Sequence, residues 1–221
     1  NRARIMQLVI KHPDGTMDPN VPYAMAIQMS RQFPEIETST LFVRMESRME
    51  CAFEFNLDAA QPTRAYEPKV VGVDTSFFRI FGFPIRSGSR GKLLMAPNDV
   101  VISSRIAEVY FSGTNPIGQN IKLNNNRLLT ITGVVDIPQN TFFQYDFFMP
   151  VFDDHSQDWN WRDPAYVLLD RQADTEILGK KIEPFMNEVY PNPLPGKFQL
   201  KIVPIQKIHL LFEGKAKILL F

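Results

Sequence analysis

The sequence predicts an α+β fold with mixed β-sheets and flanking helices, on three observations. Residues 71–138 read as two strand–helix units that lead into a hairpin. Residues 41–57 alternate between apolar odd and mostly charged even positions, which is typical of strands with one solvated face. The predicted order β-α-ββ-β-α-β-α-β-β-β-β-α-β mixes hairpins with crossovers, and this mixture favours α+β over a doubly wound sheet.

The N-terminal part predicts a strand, a turn and a helix. Arg4–Lys11 is mainly apolar, and the turn residues His12-Pro13-Asp14-Gly15 follow it. The helix spans about Pro22 to Phe33, and Pro34 ends it. Its methionines lie four residues apart, a spacing typical of core filling.

The alternating run from Leu41 to Leu57 predicts a hairpin. One straight strand of that length would span about 55 Å, far beyond the usual length. Because cross-strand partners share a face, the loop must have an odd length. We therefore expect a loop of about three or five residues centred on Arg48.

The first strand–helix unit begins with a strand at Val70–Val73. Three residues can cap the following helix: Asp74, Thr75 and Ser76. Three phenylalanines form an aromatic helix face: Phe77, Phe78 and Phe81. Gly82 permits a left-handed exit, and Pro84 prevents the helix from continuing.

The second unit repeats this arrangement and ends in a hairpin. Strand Val100–Ile102 leads to a Ser103/Ser104 cap. The predicted buried helix stripe is Ile106, Val109 and Tyr110. The hairpin joins strands Ile121–Leu123 and Leu128–Pro138 through an Asn124–Asn126 turn.

The remaining segments predict two connectors, three strands and a helix. Ala59–Pro68 and Arg86–Asn98 lack apolar periodicity and are interpreted as connectors. The aromatic run Phe142–Phe152 is expected to be a strand buried on both faces or packed between lobes. The last three elements are a strand at Tyr166–Leu169, a helix capped by Asp174 or Thr175 and kinked or split at Pro184, and a strand at Phe198–Ile202.

Composition excludes several classes of protein. Lys plus Arg equals Asp plus Glu at 24 each, so no broad field attracts nucleic acid. The single cysteine, Cys51, excludes an internal disulfide and is expected to be a buried thiol. No signal peptide is recognisable, and no run approaches the roughly 18 apolar residues of a membrane helix. The closing residues 217–221 fit either the first turn of an apolar helix or an ordinary amphipathic terminus.

The sequence predicts no catalytic, cofactor-binding or metal-binding residues. Gly113–Gly118 has the glycine spacing of a phosphate loop, but the Lys and Ser/Thr that should follow are Gln119 and Asn120. We interpret it as a helix exit followed by a turn.

Four residues could gather around a metal, namely Asp153, Asp154, His155 and Asp158, yet they crowd into one loop without a recognised ligand spacing. Asp14 and Asp18 fit turn residues. The other histidines, His12 and His209, fit loop and core positions better than a catalytic base, and no Gly-x-Ser-x-Gly elbow is present.

Three pieces of residues 71–138 together resemble a known family. They read VDTSFFRIFGFPIRSG, VVISSRIAEVYFSGTNPIGQNIKL and LLTITGVVDIP. In this order, over about seventy residues, they resemble the periplasmic core domain of MacB-type ABC transporter permeases, in the FtsX-like superfamily.

The resemblance implies a two-lobed extracytoplasmic domain in which the second lobe is inserted into the first. Lobe 1 would comprise about residues 1–68 plus 151–221, and lobe 2 about residues 69–150. Such a domain lies on the periplasmic side of the bacterial inner membrane and couples ATP-driven motion to export or to a periplasmic partner. Its implied partners are a second permease copy in a dimer, a cytoplasmic ABC ATPase, and an adaptor, outer-membrane exit protein or lipoprotein.

Two other functions stay open at this point: a free extracytoplasmic ligand-binding protein, and a hydrolase with an unrecognised site. The permease interpretation predicts that the first and last strands lie in one lobe, with both termini on one side. It also predicts rigid lobes that move about the connectors Ala59–Pro68 and Arg86–Asn98.

Overall fold

The computed structural model describes residues 2–45, 50–66, 69–151, 159–160, 162–189 and 198–208. In chain order, its first half comprises β1 (Ile5–Lys11), β2 (Met17–Asp18), β3 (Asn20–Pro22), α1 (Tyr23–Gln32), β4 (Ile36–Arg44), β5 (Ala52–Phe55), β6 (Thr63–Tyr66), β7 (Val70–Val73), α2 (Ser76–Phe81), β8 (Ile85–Gly88), β9 (Asp99–Ser103) and α3 (Ser104–Tyr110). The second half comprises β10 (Asn120–Leu123), β11 (Arg127–Val135), β12 (Phe147–Pro150), β13 (Arg162–Leu169), α4 (Thr175–Val189) and β14 (Gln199–Pro204). No helix among the described residues is long and apolar enough to cross a bilayer.

The chain forms two compact units, residues 1–41 with 154–221 and residues 42–153. The family resemblance implied a different division, in which residues 42–68 belong with the flanking segments. They group with the middle segment because β5 pairs with β10 and the last residues of β4 pair with β7. Strand β4 therefore contributes residues 36–41 to the first unit and 42–44 to the second.

The first unit is an antiparallel sheet in the order β14-β1-β13-β4. At one end of this sheet Met6 at the start of β1 pairs with Pro204 at the end of β14. The prediction that the first and last strands share a lobe is thus confirmed for the described residues. Helices α1 and α4 also meet in this unit, where the rings of Phe33 and Phe185 pack edge to face at 5.0 Å.

The second unit has a mixed sheet in the order β4-β7-β12-β9-β11-β10-β5-β6, with β8 also paired to β11. Strand β12 lies between β7, which is parallel, and β9, which is antiparallel. The expectation of a strand buried on both faces is confirmed for residues 147–149. Phe142 lies outside it and is 73% exposed.

Aromatic rings form much of the core of the second unit. Phe53 stacks on Phe147 with ring centroids 3.9 Å apart, and Phe55 stacks on Tyr110 at the same distance. These contacts join β5, β12 and α3 into one cluster with the buried aliphatic residues of β9 to β11. Such pairs are worth about 1 kcal/mol each beyond the area they bury.

The local capping predictions agree with the structure. The Asp74 carboxylate accepts from the Ser76 N–H at 2.7 Å, and Ser103 Oγ accepts from the Ile106 N–H at 3.3 Å. Asp174 Oδ1 accepts from the Glu176 N–H at 2.8 Å and the Ile177 N–H at 3.1 Å. Gly82 leaves α2 with φ 67°, the left-handed exit that glycine favours.

The predicted hairpin within residues 41–57 is wrong. Strand β4 pairs with β13 and β7, whereas β5 pairs with β10 and β6. Alternation identifies a strand with one solvated face, but it does not identify the strand's partner. The proposed loop centre, Arg48, lies outside the described residues.

Two further interpretations are corrected, and of the two alternatives at Pro184, a kink or a split, the split is excluded. The connectors Ala59–Pro68 and Arg86–Asn98 contain β6 and most of β8, which pair with β5 and β11. Val109 is 58% exposed instead of buried, because only one side of the short helix α3 faces the sheet. Helix α4 continues through Pro184 without a split.

Candidate functional site

A cleft of about 300 Å³ lies between α3 and β8 in the second unit. Its apolar part is formed by Ala107, Phe111, Pro116 and Val134. Polar and charged side chains, chiefly Arg86 and Glu108, also line it. A mixed lining of this kind suits a side chain or a short segment of a partner better than an enclosed small molecule.

A β-bulge positions the main cation of the cleft. Val134 pairs with Ser87 and Val135 pairs with Ile85, so Arg86 is the extra residue on β8. A bulge bends its strand and re-aims the side chain. Arg86 here pairs with Glu108 on α3 and, at 2.9 Å, with Asp136 after β11. The hydrogen bond to Glu108, followed by the charge of Asp136, raises the pKa of Arg86. Arg86 therefore stays protonated, and the two carboxylates neutralise its positive charge.

The hydroxyl groups of the cleft are engaged by the backbone. Ser112 Oγ donates to the Glu108 carbonyl at 2.6 Å, and Thr114 Oγ1 donates to the Phe111 carbonyl at 3.0 Å. Neither hydroxyl meets a side-chain base that would activate it as a nucleophile. Both hydroxyl groups are thus held by backbone carbonyls of the fold.

A second polar cluster joins the start of α3 to the start of β12. Asp146 is buried and accepts from Ser103 Oγ at 2.5 Å. Arg105 donates to both carboxylate oxygens of Asp146, at 3.1 and 2.7 Å. Because every carboxylate oxygen is engaged by groups of the fold, we assign this cluster a structural role.

The sequence-predicted candidates occupy structural positions where the structure describes them. His12 packs edge to face on Phe198 at 4.7 Å, and Cys51 is buried in the core of the second unit, as predicted. Asp14 Oδ1 accepts from the Thr16 N–H and Asp18 Oδ1 from the Asn20 N–H, both at 2.9 Å, which confirms them as turn residues. The remaining candidates lie outside the described residues: Asp153, Asp154, His155, Asp158 and His209.

The glycine-spaced segment Gly113–Gly118 follows helix α3, and its first residues line the cleft. Asn115 Oδ1 accepts from the Ile117 N–H at 3.2 Å, which forms the predicted turn. Across the described ranges, no group of three His, Cys, Asp or Glu side chains is placed to hold a metal ion.

Sequence reasoning missed both the cleft and the Asp146 cluster. Arg86 lay in a segment interpreted as a connector, and the strand that carries it has only four residues. Arg105 and Asp146 are 41 residues apart, so no local pattern predicts their contact. For the Asp146 cluster, the only signal in the sequence was Arg105, a basic residue two positions after the predicted cap Ser103.

Comparison with known proteins identifies one family whose model matches most of the chain. The model of the MacB-like periplasmic core domain family matches residues 1–185. No curated protein sequence matches the chain.

Three solved structures share the fold. A domain of a proposed permease protein from Porphyromonas gingivalis has a TM-score of 0.74 at 19% identity, and the match covers 92% of this chain and 91% of that one. The periplasmic region of MacB from Actinobacillus actinomycetemcomitans has a TM-score of 0.61 at 13% identity, covering 96% and 94%. The extracellular domain of the noncanonical ABC-type transporter YknZ from Gram-positive bacteria has a TM-score of 0.58 at 12% identity, covering 90% and 99%.

Proposed function

This chain belongs to the family of MacB-like periplasmic core domains, and we propose that it transmits ATP-driven motion in an ABC transporter permease to export or to a periplasmic partner. Family membership over residues 1–185 is the observation that carries the proposal. The domain would itself perform no chemistry, since ATP hydrolysis would take place in a cytoplasmic ATPase. Its other partners would be a second permease copy and an adaptor, an exit protein or a lipoprotein.

The topology of the first unit supports this role. The described chain enters β1 and leaves β14 at the same end of one sheet, where Met6 pairs with Pro204. If a domain is attached through two chain segments on the same side, movement of those segments can displace the domain as a rigid body. Long-range strand pairing and the aromatic core would keep the second unit stiff during such a displacement.

A hinge between the two units would have to lie where the chain passes from one unit to the other. The chain passes between the two units at 41/42, within β4, and at 153/154. Residues 59–68 and 86–98 cannot serve as hinges between the units, because each pairs within the second unit. Any relative motion would be concentrated at the two crossings.

The test uses engineered disulfides between the two permease copies in the intact transporter. In a Cys51→Ala background, single cysteines are placed at the exposed positions Met95, Val109 and Ile177, and pairs that cross-link on oxidation are identified. Export should fall when the bond forms and recover on reduction, while nucleotide binding is retained. If every verified cross-link leaves export at the uncross-linked rate, the domain is a passive tether and the proposal is wrong.

A further inference from the structure

Two carboxylates meet one guanidinium at the cleft between α3 and β8. Glu108 accepts from Arg86 through Oε1, and Asp136 contacts Arg86 through Oδ1 at 2.9 Å. Within the described residues, the second oxygen of each carboxylate accepts no hydrogen bond. The next cation along α3, Arg105, is engaged by Asp146. One negative charge therefore stays uncompensated at the rim of the cleft, where the Glu108 side chain is 67% exposed.

The cleft below this charge is lined by apolar side chains. Phe111 and Val134 are buried and form its fixed part, and Ala107 and Pro116 complete the apolar lining. Arg86 and Glu108 are the charged residues among those of the described chain that line it. A Lys or Arg side chain has the matching composition, since it joins an apolar stem to a cationic head.

Strand β8 presents an open edge beside the cleft. In the described part of the chain, β8 pairs with β11 on one side and with no strand on the other. The Pro84 carbonyl accepts from the Asp136 N–H at 2.9 Å, so the N–H and C=O of the next residue, Ile85, point away from β11. An extended segment that paired there would place alternate side chains on the face that carries α3.

We propose that the cleft and the open edge of β8 together bind an extended basic segment of a partner protein. One Lys or Arg side chain would enter the cleft, with its stem against Phe111 and Pro116 and its head on the open oxygen of Glu108. The basic character of the segment follows from complementarity to the uncompensated charge. Main-chain pairing with β8 would contribute affinity, and the cleft would select the side chain.

The site would supply the partner contact of the proposed function and to that extent rests on it. Its test measures binding alone, without transport. A failure to bind therefore refutes this site and leaves the coupling of motion to export to be decided by the disulfide experiment.

The experiment follows backbone amide chemical shifts of the 221-residue chain during titration with the peptide Thr-Val-Thr-Lys-Thr-Val-Thr. When the peptide is extended, its Lys and both Val side chains lie on one face. We expect saturable shifts confined to β8, α3 and residues 111–118 and 133–136, with slower hydrogen exchange of the Ile85 amide. A peptide with Glu in place of Lys should bind about tenfold more weakly or less.

Two variants of the chain test the cleft. Glu108→Gln removes the uncompensated charge and keeps the side-chain shape, and Ser112→Lys places a cation of the chain's own at the cleft. Each should weaken binding about tenfold or more. Ser112→Lys retains both carboxylates that hold Arg86, so a loss in both variants does not come from a broken ion pair. Circular dichroism checks that the variants fold.

The matched control lies in the first unit. Glu176 on α4 is 80% exposed and pairs with Lys180, so Glu176→Gln repeats the same chemical change at another exposed, paired carboxylate. This variant should bind as the unmodified chain does. Equal binding of the Lys and Glu peptides, shifts located elsewhere, or unchanged binding by Glu108→Gln and Ser112→Lys would each overturn the proposal.

A small organic cation is the alternative occupant that the same chemistry could attract. The chain is therefore also titrated with pentylammonium, which has the stem and head of a lysine side chain and no backbone. Weak or absent binding is expected, because pairing with β8 is lost. Pentylammonium binding as tight as that of the peptide, and lost in Glu108→Gln, would assign the cleft to a small cation and refute a protein partner.

Discussion

Arg105 holds the buried carboxylate of Asp146 at two points, Nε to Oδ1 at 3.1 Å and Nη2 to Oδ2 at 2.7 Å. The guanidinium is half-exposed, whereas the Asp146 side chain is only 7% exposed. Ser103, which donates to the same carboxylate, also caps α3. The pair thus fixes the start of α3 against the start of the central strand β12.

Replacing Asp146 should destabilise the chain. Asp146→Ala leaves Ser103 and Arg105 without their acceptor and opens a small void, so the free energy of unfolding should fall by about 2 kcal/mol. Urea unfolding followed by circular dichroism measures the change. Arg171→Ala, at an exposed position on a turn, is the matched control and should alter the free energy by less than about 0.5 kcal/mol.

A double-mutant cycle tests whether the two side chains act as a pair. Arg105→Ala leaves a buried carboxylate with less compensation, so it should also destabilise. Asp146→Asn should then cost less in the Arg105→Ala background than in the unmodified chain, because it removes the uncompensated charge. Additive costs would show that the carboxylate is stabilised independently of Arg105.

The first unit contains an ion pair that should make stability depend on pH. Lys181 on α4 donates to Glu35 Oε1 between α1 and β4, and this hydrogen bond lowers the pKa of Glu35 below its ordinary value. A lowered folded-state pKa contributes stability above the unfolded-state pKa, and this contribution is lost as pH falls through the folded-state value. The stabilisation should therefore be present at pH 7 and decline below about pH 4.

Lys181→Met removes the donor and should raise the pKa of Glu35. A carboxylate-detected NMR titration measures this shift, and thermal unfolding at pH 7 and at pH 3 measures the loss of pH dependence. Lys180→Met provides the control, because Lys180 pairs with Glu176 at a largely exposed position. A Glu35 pKa that is the same in the chain and in the Lys181→Met variant would contradict the assignment.

Local features were predictable from sequence, and non-local pairings were not. Asp174 was predicted as a cap because the signal lies within three residues, and the same holds for the Asn124–Asn126 turn, where Asn124 and Asn125 adopt positive φ. Strand β8 was missed because its partner β11 lies more than 40 residues away and its own pattern covers four residues. Chain neighbours alone do not specify such a pairing.

The same limit explains why the candidate site was not predicted from the sequence. The cleft combines a helix, an edge strand and a loop whose proximity is set by the register of β8 on β11. The wrong hairpin at residues 41–57 has this cause as well. The Asn124 side chain donates to the Glu50 carbonyl and accepts from the Ala52 N–H, so it fixes the start of β5 beside a hairpin 72 residues away.

Asp174 should stabilise helix α4 through its carboxylate. Hydrogen bonds from the Ile177 and Glu176 N–H groups lower the pKa of Asp174, so its charged form stabilises the folded state at neutral pH and loses this effect in acid. Asp174→Ala should lower the Tm by about 3 °C at pH 7, with a smaller effect at pH 3. Asp174→Asn retains an acceptor oxygen and should lower the Tm less. Equal Tm losses for both variants would contradict a capping role.

Gly133 on β11 lies where no side chain fits. A Cβ built at this position would lie 2.4 Å from Leu93 Cδ2 and 3.3 Å from Val101 Cγ2. Leu93 is 1% exposed, so its side chain has little room to move away. The close approach allows the segment before β9 to cover this part of the sheet.

Gly133→Ala should therefore destabilise the chain by about 1 to 3 kcal/mol through overpacking, measured by urea unfolding. Leu93→Val shortens the opposing side chain, so in the Gly133→Ala background it should recover part of that loss, whereas alone it should destabilise. Gly179→Ala is the control, because Gly179 lies at an exposed position of α4 with open space around it. It should stabilise by about 1 kcal/mol through helix propensity. If Gly133→Ala behaves like Gly179→Ala, Leu93 does not pack tightly on this glycine and the register between its segment and β11 is looser than the structure indicates.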